Sequence, residues 1–277
     1  MLKVENVTKV FGQTAAVKDL SFIADEPQII GIIGRSGAGK STFLRMMNRM
    51  TDVTSGQITV DGQNVTGLKG RAKADWQRNC AMIFQQFNLV PRLNVLNNVI
   101  LGRLNEQSIL RSSLMFFTPE ERHEALRLLD RFGIAETALQ RAETLSGGQQ
   151  QRVAICRAMM QRPTFILADE PIASLDPLNA RLVMEALHKI NREEKITVIC
   201  NLHTLDTART YCDRVIGMRA GEMVFDGIPE ALTDGMAREI YGAEADEAFE
   251  GSITSTSLTG GTPPTEPKRA AAKMGAH

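Results

Sequence analysis

The sequence predicts an α/β fold with a parallel-sheet core, an antiparallel β layer and an inserted helical subdomain. Short continuous apolar runs, "QIIGIIG", "TFILADE" and "TVICNLH", read as strands buried on both faces, as strands inside parallel sheets are. Alternating segments near the amino-terminal end, "LKVENVTKVF" and "AAVKDLSFIA", read as strands with one wet face. From about Gln86 to Gln161 the pattern turns helical.

The elements follow in order. "GQITVDG", bounded by glycine at both ends, is a further strand. Thr118-Pro119-Glu120-Glu121 opens a helix with a hydroxyl cap, proline at the first helical position and glutamate three residues after the cap. Ala125, Leu128, Leu129 and Phe132 give that helix one apolar face, and Gly133 stops it. A helix capped by Asp176 starts near Pro177, with Leu178, Leu182, Leu187 and Ile190 as its apolar stripe. "RVIGMRAGEMVFDG" reads as a hairpin turning at Ala220-Gly221. After Tyr241-Gly242 the pattern dissolves into Ser, Thr, Gly and Pro. Residues 1–242 are therefore expected to form one domain, with its helical subdomain at about 87–160, and 243–277 a disordered tail.

Composition narrows the function classes. The chain has 277 residues, 43% of them apolar, enough for one large α/β domain. Lys plus Arg equals Asp plus Glu at 32 each, so no bulk attraction to nucleic acid or anionic lipid is expected. Cys80, Cys156, Cys200 and Cys212 show neither metal-ligand nor disulfide spacing. Three of them sit in apolar runs, which reads as buried thiols in a reducing cytosol. The longest apolar run, near "IIGIIG", is too short to span a bilayer.

"GRSGAGKST", Gly34 to Thr42, matches a phosphate-binding loop, with a strand leading in and a helix leading out. The glycines let backbone N–H groups turn toward phosphates, Lys40 would reach the β- and γ-phosphates, and the Ser41 hydroxyl would ligate Mg²⁺. "TFILADEP" ends a buried strand in Asp169 and Glu170. Alone that pair reads as a solvated turn; beside a phosphate loop it reads as a Mg²⁺ partner and a general base. Gln85, after "CAMIF", and His203, after "TVICNL", are polar residues at the ends of apolar runs and suit the same γ-phosphate. Phe11 reads by pattern as a core aromatic, or else as a ring that stacks on adenine. "LSGGQQQR" opens a second helix with Ser146 and two glycines. That is either a helix cap or a second anion site.

"GRSGAGKST", "LSGGQQQR", "ILADEP", "ASLDP" and "NLH", in this order, resemble the nucleotide-binding subunit of an ABC transporter, over essentially residues 1–242. The resemblance implies the ABC ATPase fold, built on a P-loop NTPase core. It implies that Phe11 stacks on adenine and that Gly34, Arg35, Ser36, Gly37, Ala38, Gly39, Lys40, Ser41 and Thr42 bind ATP. Gln85 would link Mg²⁺ to the membrane partner, Asp169 would hold Mg²⁺ through water, Glu170 would be the catalytic base and His203 would sense the γ-phosphate. Ser146, Gly147, Gly148 and Gln149 would form a signature acting on the ATP of a second copy, with Asp176 in the loop that communicates across the dimer. This explains the second glycine turn: in such a pair each copy completes the other's site.

Within the family the chain is similar to the ATPase subunit of phosphonate importers, on "NVILGRLNEQSILRSSLMFFTPEERHEAL", "ADEPIASLDPLNARLVMEALHKIN" and "TVICNLHTLDTARTYCDRVIGMRAGEMVFDG". It departs at Cys156, where alanine is usual, at Thr204, often His, and at Phe11, frequently Tyr. The implied partners are a second copy, membrane permease subunits and, indirectly, a periplasmic or extracellular substrate-binding protein. The implied place is the cytoplasmic face of the membrane. An import ATPase for phosphate or an amino acid, and a soluble ABC ATPase without a transporter, are the alternatives. The second lacks support because no long coiled coil splits the cassette and only one cassette is present. A catalytically dead subunit is opposed by the presence of Lys40, Asp169, Glu170 and His203.

Overall fold

The fold turns on how β3 (Ile29–Ile33) is shared between two cores. In this computed structural model, which describes residues 1–106 and 115–242, all five of its residues are buried. Ile29 and Ile33 face one apolar cluster, and Ile30 and Ile32 face the other. β7 (Phe165–Asp169) and β8 (Thr197–Asn201) divide their side chains in the same way, which is why all three strands read as unbroken apolar runs.

These strands lie in a six-stranded sheet ordered β10-β9-β3-β8-β7-β6. β6 (Cys80–Ile83), β7, β8, β3 and β9 (Arg214–Arg219) pair in parallel, and β10 (Glu222–Gly227) closes the edge antiparallel. The predicted hairpin turn is present, with positive φ at both Ala220 and Gly221. Its first strand enters the parallel sheet by pairing with β3, so the hairpin belongs to the core and not to the outer layer. That layer is a separate four-stranded antiparallel sheet, β2-β1-β4-β5. It is built from β1 (Leu2–Phe11), β2 (Thr14–Ala24), β4 (Ser55–Val60) and β5 (Gln63–Asn64).

Eight α-helices complete the described residues. α1 (Lys40–Met47) packs between the two sheets, and α2 (Gly70–Asn79) seats Trp76, whose indole N–H donates to the Met47 carbonyl at 2.8 Å. α3 (Val95–Ile100), α4 (Pro119–Arg131) and α5 (Gly147–Met160) share the second core with α6 (Pro177–Glu194), α7 (Leu205–Tyr211) and α8 (Asp234–Tyr241). α4 begins as its sequence predicts, with Thr118 and Glu121 satisfying each other's backbone amides.

The predicted stripe of α6 is corrected. Val183, Met184, Ala186, Leu187 and Ile190 are buried, whereas Leu178 is 63% exposed. Leu178 lies nine positions before Leu187, about 900° of helical turn, and so falls on the opposite face. All four cysteines are free and buried, including Cys212, for which the sequence made no case. Burial pushes the Cys200 thiol up to about 12. The tail at 243–277 and residues 107–114 of the segment before the signature lie outside the described residues.

Candidate active site

Strand register assembles the site. In the pairing of β7 with β8, Asp169 stands opposite Asn201, and in that of β3 with β8, Ile32 stands opposite Asn201. The chain leaving β3 enters the 34–39 loop two residues later, so the phosphate loop, Asp169 and Asn201 meet at the carboxyl edge of the sheet.

The loop's shape is dictated by close packing. Gly34 has φ 144°, and a Cβ there would come within 2.1 Å of the Met218 carbonyl oxygen; Gly39 has φ 100°, and its Cβ would meet the Ala16 oxygen at 2.2 Å. Only glycine fits either position. Arg35, Ser36 and Gly37 are exposed, Ala38 is buried, and Ser41 and Thr42 are half-buried. α1 opens at Gly39 with no side-chain cap, whereas α4, α5 and α6 open on the capping side chains of Thr118, Ser146 and Asp176. The first N–H groups of α1 are thus left for an anion.

Lys40 is buried and donates to the carbonyl oxygens of Gly34 at 2.6 Å and Arg35 at 3.0 Å. Desolvation lowers its pKa, and the carboxylates of Glu170 and Asp169 act against that shift. The ammonium therefore sits between a loop shaped for phosphate and two carboxylates.

Asp169 Oδ1 accepts from the Ser41 hydroxyl at 2.7 Å and from the Asn201 amide at 2.7 Å. Asn201 is fully buried, and its Oδ1 has no hydrogen-bond partner. A buried acceptor without a donor is costly, and it is the amide nitrogen, not this oxygen, that meets Asp169. A hydroxyl and a carboxylate fit Mg²⁺, which keeps several waters and takes few protein ligands when phosphates supply the rest. Sequence reasoning missed Asn201. Its signal lies in the run "TVICNLH", as a polar residue ending a buried strand, masked by the more conspicuous histidine two residues on.

That run also needs correcting, since β8 ends at Asn201 and His203 lies two residues beyond it, partly exposed. Its Nε2 lies 2.7 Å from Glu170 Oε1. Glu170 follows the last residue of β7 with φ 54°, a turn that swings its carboxylate out of the sheet toward His203. Similarly β6 ends at Ile83, and Gln85 is exposed in the turn that follows. Phe11 is 52% exposed at the end of β1, with the Lys9 ammonium 4.9 Å above its ring, so the core-aromatic reading is overturned.

The signature turn stands on α5. The Ser146 side chain accepts from the Gln149 N–H at 3.3 Å, and the Gln149 side chain accepts from the Ser146 N–H at 3.0 Å. A Cβ on Gly148 would meet Asn179 Oδ1 at 2.0 Å and its Cβ at 2.6 Å. Asn179 in turn donates to both carboxylate oxygens of Asp176, through its backbone N–H at 3.0 Å and its amide at 2.6 Å. The signature helix therefore rests directly on the Asp176 cap.

Residues 17–173 match the family model described as ABC transporter. The chain is 60% identical over 259 residues to the Phosphonates import ATP-binding protein PhnC of Rhizobium johnstonii, spanning 93% of this chain and 92% of the relative. It is 58% identical over 258 residues to the protein of the same name from Ruegeria pomeroyi, spanning 93% and 94%. Among solved structures, a dimeric ATP-binding cassette in a post-hydrolysis state with ADP and Pi superposes with a TM-score of 0.73 at 32% identity. That match spans 83% of this chain and 99% of the other. A cassette of an ABC transporter in its ADP conformation gives 0.76 at 25% identity, over 91% and 98%. On the family match, on these identities and on the agreement of loop, strand ends and signature turn, the chain belongs to the ABC transporter family as an ATP-binding cassette.

Proposed function

We propose that two copies of this chain close head-to-tail around ATP and hydrolyse it to energise uptake of phosphonates through separate membrane permease subunits. The observation that carries the catalytic reading is the Ser41–Asp169–Asn201 cluster beside the Glu170–His203 contact and the Lys40 ammonium.

In this reading Phe11 stacks on the adenine. The amides from Gly34 to Thr42 and the Lys40 ammonium hold the phosphates. Ser41 and Asp169 would hold Mg²⁺, joined by Gln85 from its exposed turn; the ion would neutralise charge developing on the γ-phosphoryl oxygens. Glu170 takes the proton of the attacking water, and His203, released from Glu170, contacts the γ-phosphate. Ser146, Gly147, Gly148 and Gln149 serve the partner copy's nucleotide, and Asp176 transmits its state between the copies.

The phosphonate cargo is supported by about 60% identity over nearly the whole chain to import proteins of that name. No helix among the described residues is long and apolar enough to cross a membrane, which accords with a peripheral subunit on the cytoplasmic face beside separate permeases. A substrate-binding protein would meet this chain only through those permeases.

Glu170→Gln tests the chemistry. It is expected to give a stable dimer with ATP, seen by light scattering, and turnover at least a hundredfold below wild type; wild-type turnover would remove Glu170 as the base. Cargo is tested by deleting the gene. Growth on methylphosphonate as sole phosphorus source is expected to stop and return with the intact gene, while growth on phosphate continues.

A further inference from the structure

α8 reaches the site from outside every motif of the sequence. Its last residue, Tyr241, is 4% exposed, and its hydroxyl donates to the main-chain carbonyl of His203 at 3.0 Å. Burial raises the phenol's pKa, and a hydrogen bond from the Gly34 backbone works against that rise. The next residue, Gly242, has the guanidinium of Arg35, in the phosphate loop, 3.7 Å from where its Cβ would be.

α8 is itself anchored. Thr233 caps it, and Arg209 of α7 donates to the Leu232 carbonyl at 2.7 Å. Ile240 fills the space over Gly217 of β9, where any Cβ would lie 2.5 Å from its Cδ1. On the inner side of His203, the Leu202 N–H donates to the Ile32 carbonyl at 2.9 Å. The residue carrying the imidazole is thus pinned by the sheet through its neighbour and by α8 through its own carbonyl.

We propose that Tyr241 is a positioning residue for hydrolysis: its hydroxyl holds the His203 main chain so that the imidazole stays in register with Glu170 and the phosphate loop. The proposal rests on the reading of His203 given above. His203 is partly exposed and, among the described residues, its side chain contacts Glu170 alone, so without the hydroxyl its backbone has one fewer fixed point. Loss of a single oriented contact of this kind lowers a rate without unmaking the fold.

The test is a double-mutant cycle on the full chain, measuring Mg²⁺-ATP hydrolysis for wild type, Tyr241→Phe, His203→Ala and the pair. Phenylalanine keeps the ring and removes only the hydroxyl. The expected result is a kcat three- to tenfold lower in Tyr241→Phe with KM for ATP within twofold, and no further loss when the change is added to His203→Ala. Wild-type kcat in Tyr241→Phe would overturn the proposal. So would an equal loss in both backgrounds, which is what a general loss of stability produces. Wild-type turnover in His203→Ala alone would remove the role of His203, and the proposal with it.

Discussion

Asn201 illustrates how much one buried amide decides. Its Nδ2 must face Asp169 because the carboxylate accepts only, which turns Oδ1 away into a position with no donor. Asn201→Leu keeps the branched shape, with added bulk from its methyl groups, and deletes the hydrogen bond to Asp169. It is expected to weaken Mn²⁺ binding to the ATP complex three- to tenfold, read by electron paramagnetic resonance, while ATP binding in EDTA stays within twofold. Equal weakening with and without metal would make Asn201 a packing residue. Lys40, Ser41, Asp169 and Glu170 were legible in the sequence because loop spacing and strand-end carboxylates announce their chemistry. Asn201 and Tyr241 were not, since their roles exist only through partners 32 and 38 residues away along the chain.

At the scale of elements, helix starts divide into capped and uncapped ones. α4, α5 and α6 satisfy their first amides with their own side chains; α1 does not. The second glycine turn, on α5, is the capped helix start that its sequence allowed, with Ser146 exposed and Gln149 half-buried; its service as an anion site belongs to the proposed dimer. Its two glycines differ. A Cβ on Gly147 would touch Leu175 at an ordinary 3.4 Å, whereas one on Gly148 would strike Asn179. Gly148→Ala is expected to destabilise the fold by about 1–3 kcal/mol, the usual range for overpacking, read by thermal melting. Gly147→Ala is expected to leave the melting temperature within about 2 °C, since the site has ordinary contact distance, yet to lower turnover. Similar melting losses in both would erase the distinction.

For the whole molecule, the proposed head-to-tail pairing assigns the phosphate loop and the signature to different nucleotides, which would make the assembly the enzyme. Ser146→Arg is expected to abolish turnover while ATP still binds the monomer, and Lys40→Ala to lose ATP binding. Mixing the two inactive proteins gives heterodimers with one intact composite site, so activity is expected to reappear, up to about a quarter of wild type on statistical pairing in a two-fold dimer. No recovery, with mixed dimers demonstrated, would place both cradles on one nucleotide.

The sequence by itself determined the fold class, the phosphate loop, the acidic strand end, the helix caps and the hairpin turn. Each is written in neighbouring residues through backbone geometry and hydrophobic period. It misplaced the apolar face of α6 and set the ends of β6 and β8 two residues late, because local pattern does not reveal which side a neighbour occupies. Only the tertiary structure decided that Phe11 is exposed, that Asn201 completes the cluster around Asp169, that Gly148 leans on the Asp176 cap and that Tyr241 grips His203. Those contacts depend on the register of parallel strands and on α8 folding back, long-range pairings that no short stretch of chain encodes.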